Sequence, residues 1–191
     1  MITPPYITAW TGEVGYVVRP APILQGLPAL FARTGWRGRG DPIWGKISEE
    51  RQRECALRRL CQVCHRPLRA PGYSLVPLRV LAVSRGRGAT HEPLTCAACL
   101  PTVLRSCPAI RRMAAGEHKD PLVGLRVSHY EVALQAIGPV YPPPDETSAL
   151  LNVAMAEAGA SAACAFAELI MVDFQEVAVA DLYRGAGLVP P

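Results

Sequence analysis

"SEERQRECALRRLCQVCH", residues 48–65, joins a helical pattern to a cysteine motif, and the fold prediction starts from it. Ser48 is a good N-cap, and Glu49 and Glu50 suit the positive end of a helix dipole. Glutamate and arginine recur four residues apart, and a narrow apolar stripe runs along one side. We therefore predict a helix over 48–60 that packs by this stripe and is otherwise solvated.

The motif "CQVCH" at 61–65 has three interpretations: attachment of a c-type haem, half of a zinc site, and a thiol redox pair. The opening residues, "MITPPYITAW", lack the basic and apolar regions of a signal peptide, so we expect a cytoplasmic protein. Covalent haem attachment normally belongs to exported proteins, and the reducing cytosol disfavours a disulfide framework for the seven cysteines. Metal binding is therefore the favoured interpretation.

A second cysteine pair completes the pattern C-x2-C-x31-C-x2-C. Two thiolates two residues apart can turn toward one point, and a second pair completes the tetrahedral sulfur shell that Zn²⁺ favours. We predict a structural zinc site whose ligands are Cys61, Cys64, Cys96 and Cys99. A knuckle, a hairpin and a ligand-bearing helix in this order predict a treble-clef-like module, with redox use of either pair as the alternative.

Other histidines and cysteines lie near this pattern. His65, His91 and Cys107 could contact the ligands or replace one of them. Cys55 and Cys164 are expected to be small core residues. Four thiolates leave a zinc ion no open position, so we expect no enzyme activity. A nuclease of the HNH type, with His91 as general base, is the enzymatic alternative, although its usual Asp-His pair, Asn and final His are missing.

The net charge of +4 is unevenly distributed. Residues 1–120 contain 18 Lys and Arg against 8 Asp and Glu, whereas residues 121–191 contain 2 against 8. The sequence "RGRG" occurs at 37–40 and again at 85–88, where glycine would allow close approach to a phosphate backbone. A high-GC genome is the alternative source of arginine. The candidate nucleic-acid contacts are Arg37, Arg39, Arg58, Arg59, Arg66, Arg69, Arg85, Arg87, Arg111 and Arg112.

The 191 residues suffice for one ordinary domain, and no apolar run reaches the roughly 20 residues of a membrane-spanning helix.

The remaining elements are predicted from residue type and periodicity, with residues 149–159 open between helix and strand. They are strands at 13–18, 125–141 and 176–182, a strand pair or a strand with a proline at its edge at 73–83, and helices at 96–107 and 160–172. We predict an α+β fold of one compact unit with three parts: N-terminal strands and loops (1–47), the arginine-rich helix and zinc module (48–120), and an acidic part (121–191) with short strands and a C-terminal helix.

The segments "ISEERQRECALRRLCQVCHRPL" and "HEPLTCAACLPTVLRSCPAIRR" resemble an uncharacterised zinc-knuckle family of small proteins from high-GC Gram-positive bacteria and their phages. The resemblance covers about residues 43–112, and relatives would more often have Gly where this chain has His65. It implies a zinc site and a phage or mobile-element origin, and it identifies no partner.

The expected function is that of a non-enzymatic accessory or regulatory protein in a DNA transaction, namely recombination or transcription control. Its partners would be nucleic acid, DNA in the first place, or a DNA-bound protein such as a recombinase, and no membrane or small-molecule substrate is inferred. The alternative is a protein-binding adaptor or virion component.

Overall fold

The computed structural model describes residues 4–78, 81–84, 87–139, 141 and 146–191, and it has the expected mixed α+β architecture. The strands are β1 (Thr8–Trp10), β2 (Val14–Pro20), β3 (Pro28–Thr34), β4 (Pro42–Ile47), β5 (Gly72–Pro77), β6 (Ala82–Ser84), β7 (Arg87–Thr90), β8 (Leu122–Ile137) and β9 (Ala163–Val177). The helices are α1 (Glu49–Leu57), α2 (Leu100–Ser106), α3 (Pro108–Ala114), α4 (Glu146–Glu157) and α5 (Val179–Gly185).

The long strand β9 organises the larger sheet. Along one edge it pairs antiparallel with β8 from Ala163 to Val177, and β8 in turn pairs with β5. It also pairs with β3, through Cys164, and with β7, through residues 169–171. Strands from every part of the chain therefore meet on β9, while β1 and β4 form a separate two-stranded sheet.

Helix α1 packs against β9 and β3 with buried polar side chains, so the prediction of a solvated helix is wrong. Arg53 is almost fully buried and donates to the carbonyl oxygens of Leu30, Cys164 (3.2 Å) and Ala165 (2.5 Å). Burial lowers the pKa of its guanidinium, and the Phe31 ring lies 5.2 Å from its central carbon. The apolar stripe does pack, since Ala56 and Leu57 belong to apolar clusters, but hydrogen bonds from buried polar side chains also hold this helix against the sheet.

Two neighbours of Arg53 make similar connections. The Gln52 amide donates to the carbonyl oxygens of Ala167 (2.6 Å) and His91 (2.7 Å) and accepts from the Ala167 amide (2.9 Å). Arg51 forms a buried bidentate ion pair with the Glu13 carboxylate (2.5 and 2.8 Å) and donates to the Thr8 carbonyl. The Arg51 contact lowers the pKa of the Glu13 carboxyl, against burial, which would raise it. Helix α1 therefore connects the N-terminal strands to β9.

The C-terminal part differs from its prediction. The predicted helix at 160–172 is wrong, because these residues belong largely to β9, and the predicted strand at 176–182 is wrong, because α5 begins at Val179. Helix α4 instead covers most of the open segment 149–159. Residues 165–171 alternate between more and less buried positions, and pairing along both edges of β9 overrides the helix propensity of its alanines.

The other predicted elements are close to those observed. The strand at 13–18, the helix at 48–60 and the strand at 125–141 correspond to β2, α1 and β8, although β8 and β9 are long rather than short strands. The segment 73–83 contains β5 and part of β6. Pro108 starts α3 as well as following α2.

Four apolar clusters of buried residues fill the space between the described elements. One lies between α1 and the face of β8 and β9, and another joins β5 to α2, α3 and α5 through residues such as Leu104 and Leu182. A third packs α4 against β2 through Met155 and Val18, and a fourth contains Phe31 of β3 and Cys164 of β9. Among the helices in the described ranges, none has the length and apolarity needed to cross a bilayer.

Replacing Arg53 with methionine should lower the free energy of unfolding by about 3–5 kcal/mol, because buried carbonyl groups lose their donor at about 1–3 kcal/mol each. Arg58→Met is the matched control on the same helix, since its side chain is 61% exposed, and it should change stability by about 0.5 kcal/mol or less. Urea denaturation followed by circular dichroism measures both. Equal, small losses in the two variants would contradict the role of Arg53.

Candidate metal centre

The first cysteine pair lies in a tight turn that follows α1. The Leu60–Pro67 bridge closes this turn, and the Leu68 amide donates to the Arg59 carbonyl (2.8 Å). Arg59 and His65 have φ angles of 53° and 59°. This left-handed region favours glycine, which gives a physical reason why Gly would suit the position of His65.

The second pair lies in the turn that precedes α2. The Cys99 amide donates to the Cys96 carbonyl (3.0 Å), and Cys99 is the N-cap of α2. The second pair was predicted in the first turn of this helix, but both cysteines lie just before it. Reciprocal hydrogen bonds of 2.8 Å between Tyr73 and Thr95 fix this turn against β5. The Gln62 side chain donates to the Thr95 hydroxyl (3.0 Å) and so connects the two turns.

The four predicted cysteines converge. The Sγ atoms of Cys61, Cys64, Cys96 and Cys99 all lie within 4.8 Å of one another, and those of Cys64 and Cys96 are 3.9 Å apart. Four thiolates around one ion at about 2.3 Å have sulfurs about 3.8 Å apart. The arrangement thus fits a site for one metal ion bound by sulfur alone.

The protein surrounds these sulfurs asymmetrically. Cys61 is buried, and its Sγ accepts from the backbone amides of Val63 (3.4 Å) and Cys96 (3.3 Å), whereas Cys64 is exposed. Burial raises the pKa of the Cys61 and Cys99 thiols. Burial also acts to raise the pKa of Cys64, but hydrogen bonds with the Arg66 backbone and the neighbouring thiols lower it below the usual value. Raised thiol pKa values mean that a metal must displace protons at neutral pH, so affinity should fall as pH falls.

His65 lies beside the cluster in a stacked arrangement. Its ring lies 3.8 Å from that of Tyr6 at an interplanar angle of 18°, and its Nε2 is 3.3 Å from Glu54 Oε2. The Tyr6 hydroxyl donates to the same carboxylate oxygen (2.8 Å). Sequence analysis missed Tyr6 and Glu54, because no local pattern connects residues 48 positions apart. His65 therefore contacts the turn that holds the ligands and is outside the four-sulfur group.

The remaining candidate residues lie elsewhere. The His91 ring packs against Phe166 at 5.8 Å, and Cys107 lies between α2 and α3, outside the four-sulfur group. Cys55 and Cys164 are buried as predicted, and burial raises the pKa of Cys55 to about 12. Neither of these buried thiols belongs to the cluster.

The candidate arginines do not form a single group. Arg37 lies 5.4 Å from the centre of the Tyr6 ring, and Arg39 lies 5.2 Å from that of Trp36. Arg59 donates to the Tyr130 carbonyl (2.9 Å) and stacks on its ring, and Arg87 pairs with Glu131 (3.6 Å). Arg58 pairs with Glu54 at 3.4 Å. Four other candidates are exposed, two at the first knuckle and two on α3: Arg66, Arg69, Arg111 and Arg112. Arg85 lies outside the described residues.

No family model, curated protein or solved structure matches this chain.

Purified protein should contain one equivalent of a thiol-preferring metal, and its binding should contribute on the order of 10 kcal/mol to folding. Cys96→Ser removes one of the four sulfurs and should lose metal and solubility, whereas Cys107→Ser should retain both. Elemental analysis of the three proteins measures this. A metal-free wild-type protein, or a covalently bound haem in its visible spectrum, would contradict the assignment.

Proposed function

We propose that the chain is a zinc-stabilised, non-enzymatic accessory protein of a phage or mobile element that acts in a DNA transaction such as recombination or transcription control. It would work in the cytoplasm of a bacterial host, through DNA or a DNA-bound protein such as a recombinase. The phage assignment rests on the resemblance of residues 43–112. The DNA assignment rests on one surface beside the first cysteine pair.

Zinc is the proposed metal because four convergent thiols match its preferred tetrahedral sulfur shell. The module is proposed to be treble-clef-like, because a knuckle closed at Leu60 and Pro67 is followed by strands and by a helix that begins after Cys99. It departs from a simple hairpin arrangement, since β5 pairs with β8 and β7 pairs with β9. A closed four-thiolate shell leaves no position for an activated water, which supports a structural role.

A surface of alternating cations and aromatic rings supports DNA binding. Trp36 is 67% exposed beneath Arg39, and Arg37 lies over Tyr6, which stacks on His65 of the first knuckle. The exposed Arg66 follows His65 directly. We call these residues the basic–aromatic surface: Tyr6, Trp36, Arg37, Arg39, His65 and Arg66. Arginines can neutralise phosphates while an exposed ring such as that of Trp36 stacks on a base, and this combination is typical of nucleic-acid contacts.

The sequence count of charges does not describe the surface directly, because Arg53 is buried and Arg51 is paired with the equally buried Glu13. The proposal therefore depends on where the exposed arginines lie and less on the net charge of residues 1–120. Arg37 and Arg39 form no ion pair with a described carboxylate, unlike Arg58 and Arg87. Arg37 acts on the Glu13 carboxyl only beyond ion-pair distance, where it helps to lower the pKa of that group, so both arginines can still neutralise charge on a ligand.

A protein-binding adaptor or virion component is the second candidate, and a specific feature favours it. Leu150 and Val153 are three residues apart on α4 and are 43% and 52% exposed, so they form an apolar strip on its outer face. Such a strip suits a protein partner.

An HNH-type nuclease is the third candidate. Its general base would be His91, but the Nε2 atom of this ring is buried without a hydrogen-bond partner. Within the described part of the chain, no carboxylate lies within ion-pair distance to orient the ring. This environment supports the non-enzymatic proposal.

Duplex DNA binding should weaken linearly with salt on a log–log plot, with a slope set by the number of neutralised phosphates. Replacing Arg37 and Arg39 together with glutamine should reduce the magnitude of that slope by about one to two units. The control replaces Arg126 on β8 and Arg184 on α5 with glutamine, which removes the same charge and should leave the slope unchanged. Fluorescence anisotropy at several salt concentrations measures each slope.

Equal slopes for the two double variants would contradict the basic–aromatic surface as the DNA contact. Undetectable DNA binding at low salt, together with binding of a recombinase or another protein, would replace the DNA proposal with the adaptor.

A further inference from the structure

A cavity of about 380 Å³ lies between β4, the first knuckle and helices α2 and α3. Gln62 and Val63, which separate the first two cysteines, form part of its wall, and Thr95 precedes the second pair. The cavity therefore shares a wall with the four-cysteine cluster. Its volume is within the range of pockets that hold small organic ligands.

The cavity wall is mainly apolar. Apolar residues of β4, β5, α2 and α3 line it, together with one residue before β1 and one in the first knuckle. They are Trp44, Leu75, Val103, Ile110, Ile7 and Val63. Such a surface would bind a hydrocarbon stem by removing it from water, at about 25 cal/mol for each Å² of apolar area buried.

One carboxyl group lies in this apolar wall. Glu92 lines the cavity, and no group of the described residues lies within hydrogen-bond or ion-pair distance of its carboxyl. Its backbone amide is fixed by the Thr90 hydroxyl (3.1 Å). Burial alone raises the pKa of Glu92 to about 7. Glu92 is only partly exposed, and a carboxyl that is largely removed from water without a partner is costly to the fold. Ligand sites are a common place for such a group.

The cations that line the same cavity do not neutralise Glu92. Lys46, Arg112 and His118 are in the wall, yet none is within the 4.0 Å ion-pair distance of this carboxyl. Burial is the only cause that shifts the pKa of Glu92, so these cations do not act on its carboxyl. The cavity thus combines a mainly apolar wall with a carboxyl that has no partner among the described residues and that a ligand could satisfy. A primary ammonium group carries three donors and a positive charge, and both suit a carboxylate in an apolar environment.

We propose that this cavity binds a small organic cation, a primary ammonium on an apolar stem, with the Glu92 carboxylate as its acceptor. The proposal does not depend on DNA binding. It adds a small-molecule site to a chain in which the sequence indicated none.

The test uses hexylammonium and hexan-1-ol, which share the stem and differ in charge, with isothermal titration of the metal-loaded full chain. Wild-type protein should bind hexylammonium at least tenfold more tightly than hexanol. Glu92→Gln, which keeps the shape of the side chain, should reduce this preference to twofold or less. Glu117→Gln, a change at an exposed glutamate after α3, should leave it unchanged.

A second variant tests the location. Ala109 lines the cavity from α3, and Ala109→Phe should fill part of the cavity and weaken binding of both probes at least tenfold. Equal affinity of wild-type protein for the two probes, an unchanged preference in Glu92→Gln, or unchanged binding in Ala109→Phe would each overturn the proposal. A pentapeptide that carries one lysine and is capped at both termini serves as the third probe. If it binds more tightly than hexylammonium, the ligand would be a lysine side chain of a protein, and the assignment to a free small molecule would be overturned.

Discussion

The hydrogen bonds of Arg53 and Gln52 to the edge of β9 are the interactions on which the rest of the structure depends. On the edge of β9 that does not face β8, β3 pairs at Cys164 and β7 pairs only from Leu169 onward. The stretch of this edge between them has no neighbouring strand. The two α1 side chains satisfy the backbone groups of Cys164, Ala165 and Ala167 in this gap. Buried backbone groups require partners, so a helix here replaces part of a strand.

The same helix positions the metal centre and the surfaces around it. Glu54, one residue after Arg53, contacts Tyr6 and His65, and the Cys55 thiol lies 4.0 Å from the Cys61 carbonyl. The first knuckle then contributes His65 to the basic–aromatic surface, and its Gln62 and Val63 to the cavity. A metal that fixes the two knuckles would therefore stabilise both proposed binding surfaces, because each includes residues of the first knuckle.

The candidate site was more predictable from the sequence than the fold around it. Cysteine spacing predicted the convergence of Cys61 with Cys96, because paired knuckles impose a local geometry that residue types reveal. The burial of Arg53 was not predictable, since its acceptors are backbone carbonyls far along the chain, such as that of Leu30. Strand β9 was mistaken for a helix because local alanine propensity favours a helix, whereas distant partner strands decide its conformation. Glu92 gave no signal either, since its significance comes from a cavity formed by separate segments.

Native-state hydrogen exchange at the Ala167 amide tests the central claim most directly, because Gln52 Oε1 is its acceptor at 2.9 Å. In the metal-loaded protein this amide should exchange as slowly as the strand-paired amides of β9, and Gln52→Ala should accelerate Ala167 well beyond those neighbours. Rapid exchange at Ala167 in the wild-type protein, or exchange unaffected by the loss of Gln52, would contradict the claim that α1 completes the edge of β9.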